Sequence, residues 1–103
     1  MTKAEAQAIA QKEIERLIQG LNVEWLFLDE FTKEEDFGWV FFYESRRFVE
    51  TQEVSDRLLG NSPIVVDRWG RLHHVGTAGP ASVLIEQLKL QGAFDPPADG
   101  GKS

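Results

Sequence analysis

The chain has 103 residues, 42% of them apolar, and carries a formal net charge of −6. That length fits one domain with one core. The absence of cysteine excludes disulfides, thiol nucleophiles and Cys-based zinc sites, and the acid excess argues against binding DNA or RNA, which rewards a basic face.

Thr2 followed by Glu5 reads as a capping box. Ala6, Ala10, Ile14, Leu17 and Leu21 recur at helical spacing, which predicts an amphipathic helix over 3–19 with Gly20 as its stop. Residues 23–31 alternate, with Val23, Trp25 and Phe27 pointing one way and Leu26 and Leu28 the other, as in a strand. Thr32 to Asp36 reads as a charged turn. Residues 38–45 form a second strand, with Trp39, Phe41 and Tyr43 on one face and Val40 and Phe42 on the other, so the two strands make a hairpin.

Arg46 to Thr51 reads as irregular or extended, and Val54 to Leu59 as a short helical turn ended by Gly60-Asn61. Pro63 leads into a third strand, Ile64-Val65-Val66. Asp67-Arg68-Trp69-Gly70 is a hairpin turn with glycine in the left-handed position, and Arg71 to Val75 is the fourth strand. Gly76-Thr77-Ala78-Gly79 breaks the pattern. Pro80 opens a last helix over 80–91, with Ala81, Leu84, Ile85 and Leu88 on one face.

The fold class is therefore α+β: a four-stranded antiparallel sheet with N- and C-terminal helices packed on it, in the order α-β-β-short α-β-β-α. Residues 1–92 form a single domain, and 93–103 a disordered tail rich in Pro, Gly and Asp. Leu17, Phe41, Ile64 and Leu84 are expected in the core. Two helices cover one sheet face. The other needs the 46–60 segment, a second copy in a homodimer, or a partner.

No constellation of residues points to catalysis, a cofactor or a metal. His73 and His74 are neighbours on a strand and face opposite sides, so they do not chelate one ion together. Gly76-Thr77-Ala78-Gly79-Pro80 opens a helix but lacks the Lys of a P-loop and the spacing of a dinucleotide fingerprint, and reads as a strand-to-helix turn that Thr77 helps to cap. Ser45, Ser55, Ser62 and Ser82 stand in no nucleophile elbow. The chain reads as a non-enzyme. The polar start, Met1-Thr2-Lys3-Ala4-Glu5, is no signal peptide, and no apolar run reaches the ~20 residues of a membrane helix. With no cysteine, a cytoplasmic location and no membrane partner are expected.

The uneven charge is the most informative feature. Glu24, Asp29, Glu30, Glu34, Glu35 and Asp36 fall within thirteen residues, opposed in that stretch by Lys33. Such a cluster either keeps an edge strand soluble or docks a basic protein. The partner-binding candidates are Asp29, Glu30, Glu34, Glu35 and Asp36, with Trp25 and Trp39 nearby.

Several blocks resemble a known family. Gly38-Trp39-Val40-Phe41-Phe42-Tyr43, Phe48-Val49-Glu50-Thr51, Leu59-Gly60-Asn61-Ser62-Pro63-Ile64-Val65-Val66-Asp67 and Gly76-Thr77-Ala78-Gly79-Pro80 together resemble the YrhB-like, or immunity protein 35, family. Gln52-Glu53 departs from it, standing where a Gly-Asp turn is expected. The resemblance implies a bacterial immunity protein that binds and neutralises a cognate toxin. For one branch it implies a chaperone-like protein, so a general peptide-binding module is the alternative. The motif residues themselves read as structural: Gly60, Asn61 and Gly76 serve backbone conformation and Pro63 fixes a strand entry.

Overall fold

The structure is a computed structural model and describes residues 1–56 and 62–97. Helix α1 spans Lys3–Leu17. Its capping box forms as the sequence predicts, with the Glu5 N–H donating to Thr2 Oγ1 at 3.2 Å and the Thr2 N–H to Glu5 Oε1 at 2.8 Å. Strands follow at Trp25–Phe27 (β1), Lys33–Glu35 (β2), Gly38–Phe41 (β3) and Tyr43–Ser45 (β4). Helix α2 is Arg46–Thr51, β5 is Ile64–Asp67, β6 is Leu72–His74 and α3 is Ala81–Leu90.

Among the described residues all pairings are antiparallel, in a four-stranded sheet of order β2-β3-β5-β6 and a two-stranded one of β1 with β4. The two sheets share one long hairpin with a kinked arm. From Phe27↔Tyr43 to Lys33↔Val40 one strand advances six residues while its partner advances three. The three surplus residues form a 3-10 turn, Asp29–Phe31, an enlarged form of a β-bulge. The segment read as a charged turn is thus an edge strand, and the hairpin tip narrows to Asp36-Phe37.

Alternation in β3 and β5 divides the core in two. Trp39, Phe41, Ile64 and Val66 face α1, which packs on them with Ala6, Ala10 and Ile14. Val40 and Val65 face the opposite side, where α3 brings Leu84, Ile85 and Leu88. Each helix lies on its own face, α1 with buried residues and α3 with half-buried ones, where the sequence placed both on one face. Phe41 and Ile64 are fully buried as expected and Leu84 is half-buried, but Leu17 is 41% exposed. The buried stripe of α1 advances by fours through Ala6, Ala10 and Ile14 to half-buried Ile18, which turns Leu17 outward.

Gly38 cannot carry a side chain. Its φ is 151°, and a Cβ there would lie 2.2 Å from the Val66 carbonyl oxygen on the neighbouring strand. Residues 46–51, read as irregular, are helical because Ser45 caps them, its hydroxyl accepting the Phe48 N–H at 3.0 Å. A 3-10 turn follows at Val54–Asp56. The expected continuation to Leu59 and the Gly60-Asn61 stop lie outside the described residues.

The packed chain also extends past the expected end of the domain at residue 92. Gly92, at φ 79°, reverses the backbone after α3. The buried Phe94 ring then stacks on Phe37 at 4.5 Å and meets His73 edge-on at 4.9 Å. Trp69 Nε1 donates to the Phe94 carbonyl at 3.3 Å, and Arg71 to that of Asp95. Residues 98–103 lie outside the described part.

Candidate functional site

The acidic candidates fall into two exposed groups on the hairpin arm. Asp29 and Glu30 occupy the kink, while Glu34, Glu35 and Asp36 lie on β2 and at the tip. Arg68, from the β5–β6 turn, opposes the second group. Its Nη1 is 3.2 Å from Glu34 Oε2, and it donates to the backbone carbonyls of Glu35 and Asp36. The same guanidinium lies 4.3 Å from the centroid of the Trp39 ring. Sequence reasoning counted Lys33 alone against these acids, because Arg68 is 33 residues from Glu35 along the chain.

The two tryptophans separate. Trp25 is half-buried, edge-on to Phe27 at 5.0 Å and to Tyr43 at 6.3 Å, with part of its surface open. Trp39 is 2% exposed. It is a core residue, because the small Ala6 and Ala10 in its cluster let α1 lie close over the sheet. It therefore has no surface to offer a partner.

The histidines face opposite sides, and each meets a carboxylate. His73 Nε2 is 2.9 Å from Asp67 Oδ2, and His74 Nε2 is 2.6 Å from Glu13 Oε2. Asp67 is fully buried. Burial pushes its carboxyl up, but hydrogen bonds from His73, Arg71 and the Trp69 N–H outweigh this and hold it below the ordinary range. These contacts brace the β5–β6 turn. Glu13 is held down to about 2, first by Arg16, against the cost of burial, with help from His74. Among the described residues no three His, Asp or Glu side chains are grouped to hold a metal, and no helix is long and apolar enough to cross a membrane.

Sequence reasoning missed the concavity beside α3. A pocket of about 350 Å³ lies between the Gly76–Gly79 bend and the arm, with Leu28, Phe42 and Pro63 as apolar walls and the buried Glu44 among its polar ones. A second, of about 230 Å³, continues along α3 past Val40, Phe42 and Ile85, with Lys33, Glu35, Glu86 and Lys89 at its charged rim. Both include Phe42 and Ala81. Gly76–Pro80 is the strand-to-helix turn expected. Pro80 caps α3 without a side-chain hydrogen bond, and exposed Thr77 lines the first pocket.

The Escherichia coli (strain K12) protein described as "Uncharacterized protein YrhB" is 37% identical over 57 residues, 54% of this chain and 61% of that relative. The match thus spans less than two thirds of the relative's length. No solved structure matches. A family model described as Immunity protein 35 matches residues 4–87, from the first turn of α1 through the six described strands and into α3. The chain belongs to the immunity protein 35 family.

Proposed function

We propose that this chain is a cytoplasmic immunity protein that binds a cognate toxin domain and blocks it by occlusion, without chemistry of its own. The carrying observation is the family match over 4–87, which takes in nearly the whole packed domain. The exposed acids of the arm support a basic partner. Asp29, Glu30, Glu34, Glu35 and Asp36 project from one hairpin, and a field of one sign speeds the approach of an opposite charge. Trp25, with its open surface, adds apolar contact at the base of the same arm. The aromatic face of β3, on which a general peptide-binding module would rely, is enclosed by α1, which favours the immunity reading over the chaperone-like one.

Co-expression with the toxin domain encoded beside this gene tests the reading. Growth should be restored by this chain and not by a non-cognate family member. Toxicity unchanged by a well-expressed, folded chain would refute it.

A further inference from the structure

We propose that the hollow at the C-terminal end of α1 receives an arginine side chain of the partner protein. The immunity reading supplies that partner's identity, and the hollow is argued from its own geometry and charge.

The hollow has a volume of about 290 Å³ and lies between the end of α1, the link that follows it and the first residue of β1. Glu15, Ile18, Asn22, Val23, Glu24 and Trp25 line it. Asn22, in the left-handed conformation at φ 53°, turns the chain between the two elements. Ile18, Val23 and Trp25 are half-buried, whereas Glu15, Asn22 and Glu24 are exposed. The floor is therefore apolar and the rim polar. A side chain that fits both layers has an aliphatic stem and a charged head, which describes Arg and Lys. The volume falls just below the ~300–1,000 Å³ of a typical small-molecule site and suits one long side chain.

Charge selects the sign of the head. Two carboxylates line the hollow and no cation does, whereas the second hollow beside α3 sets Lys33 and Lys89 against Glu35 and Glu86. Glu15 accepts from the neutral Gln11 amide at 3.1 Å, which leaves its charge in place. Glu24 is approached from outside the hollow by Arg46, whose Nε is 3.3 Å from Glu24 Oε1. Both side chains of that pair are more than half exposed, and such pairs are weak and exchange readily. Two carboxylates against one guanidinium still leave an excess of one negative charge. The negative end of the α1 dipole adds to it, and Arg16, the cation in the last turn of α1, is engaged by Glu13 at 2.7 Å.

The aromatic wall selects arginine over lysine. Edge-on contacts with Phe27 and Tyr43 fix the orientation of the Trp25 ring before any partner arrives. A guanidinium is planar and weakly hydrated, so it stacks on an indole face while its N–H groups donate to two carboxylates at once. An ammonium is a compact, strongly hydrated charge and gains less from the ring. In the complex the arginine N–H groups donate to Glu15 and Glu24, and its methylenes rest on Ile18 and Val23.

The test titrates the full chain with N-acetylarginine amide at low salt, with N-acetylcitrulline amide as the uncharged isostere, and follows backbone and indole N–H shifts. The arginine compound should give saturable shifts at Ile18, Val23 and the Trp25 indole, and the citrulline compound should not. The double variant Glu15→Gln/Glu24→Gln, at two exposed positions, should weaken arginine binding at least about tenfold. Asp29→Asn/Glu30→Gln removes the same charge from the exposed kink of the arm and should leave binding nearly unchanged. Equal binding of the two compounds, shifts confined to the arm, no saturable shift at the hollow, or equal losses in the two double variants would each overturn the proposal. Against the toxin domain, the Glu15→Gln/Glu24→Gln chain should dissociate at least about tenfold faster. A folded double variant that holds the toxin as tightly as the unaltered chain removes the hollow and leaves the immunity reading standing. An unaltered chain that gives no protection removes that reading, and the arginine titration then decides the hollow alone.

Discussion

Acidification should loosen the joint between α1 and β6, and the loss should trace to Glu13. Its carboxylate accepts from Arg16 Nε at 2.9 Å and Nη2 at 2.7 Å, and lies 2.6 Å from His74 Nε2, sixty-one residues along the chain. These contacts lower its pKa from 4.5 to about 2. A carboxyl depressed in the folded state adds stability above its unfolded pKa and loses it as the pH falls toward the folded one. The difference of about 2.5 units, at 1.36 kcal/mol each, sets a ceiling of about 3 kcal/mol. The Arg16 side chain is 65% exposed and therefore screened, so the expected contribution is ~1–3 kcal/mol. Urea unfolding of the wild type and of Glu13→Gln measures it. At neutral pH the variant should be less stable by that amount, and the gap should close between pH 4.5 and about 2. The other depressed carboxyls, Asp67 and Glu5, titrate in both proteins and cancel in the difference. A gap that is absent at neutral pH, or that does not change on acidification, would refute the reasoning.

Three further outcomes are expected. Gly38→Ala should cost more than about 3 kcal/mol, because its Cβ would press on the backbone of β5, which has no freedom to withdraw; a near-native melting temperature would contradict the close approach. Phe94→Ala should cost ~2–4 kcal/mol and alter Trp69 fluorescence, since Phe94 fills the space between Phe37 and His73 while its carbonyl holds the indole N–H; an unchanged unfolding curve would mean that the segment after α3 adds nothing. Reversing Glu34, Glu35 and Asp36 to Lys should slow association with the toxin and flatten its salt dependence, with little effect on dissociation; an unchanged association rate at low salt would reduce these acids to a solvating edge.

Local signals in the sequence were legible. The Thr2–Glu5 box, the Gly70 turn and the alternation through Trp39, Val40, Phe41, Phe42 and Tyr43 each depend on a few adjacent residues and form as read. Features that depend on distant partners were not. Lys33–Glu35 is a strand only because β3 pairs with it, and its own residues show no alternation. Periodicity gave α3 an apolar stripe but not the face of the sheet it would meet. Phe94 is a lone aromatic among Gly, Asp and Pro, and only the reversal at Gly92 brings it onto Phe37. The α2 helix was announced by Ser45 as its cap, a signal available and not used. At the candidate site the acids were legible because charge clusters along the chain. The enclosure of Trp39, the counter-charge from Arg68 and the furrow beside α3 all require the tertiary fold.

The central claim is neutralisation by binding alone, and titration of the purified toxin domain tests it most directly. Toxin activity should fall linearly as this chain is added and vanish at equivalence. Dissociation of the complex should then release toxin of unchanged mass and full activity. Inactivation by far less than an equivalent, or released toxin that is cleaved, modified or permanently inactive, would contradict the account and make the chain an enzyme.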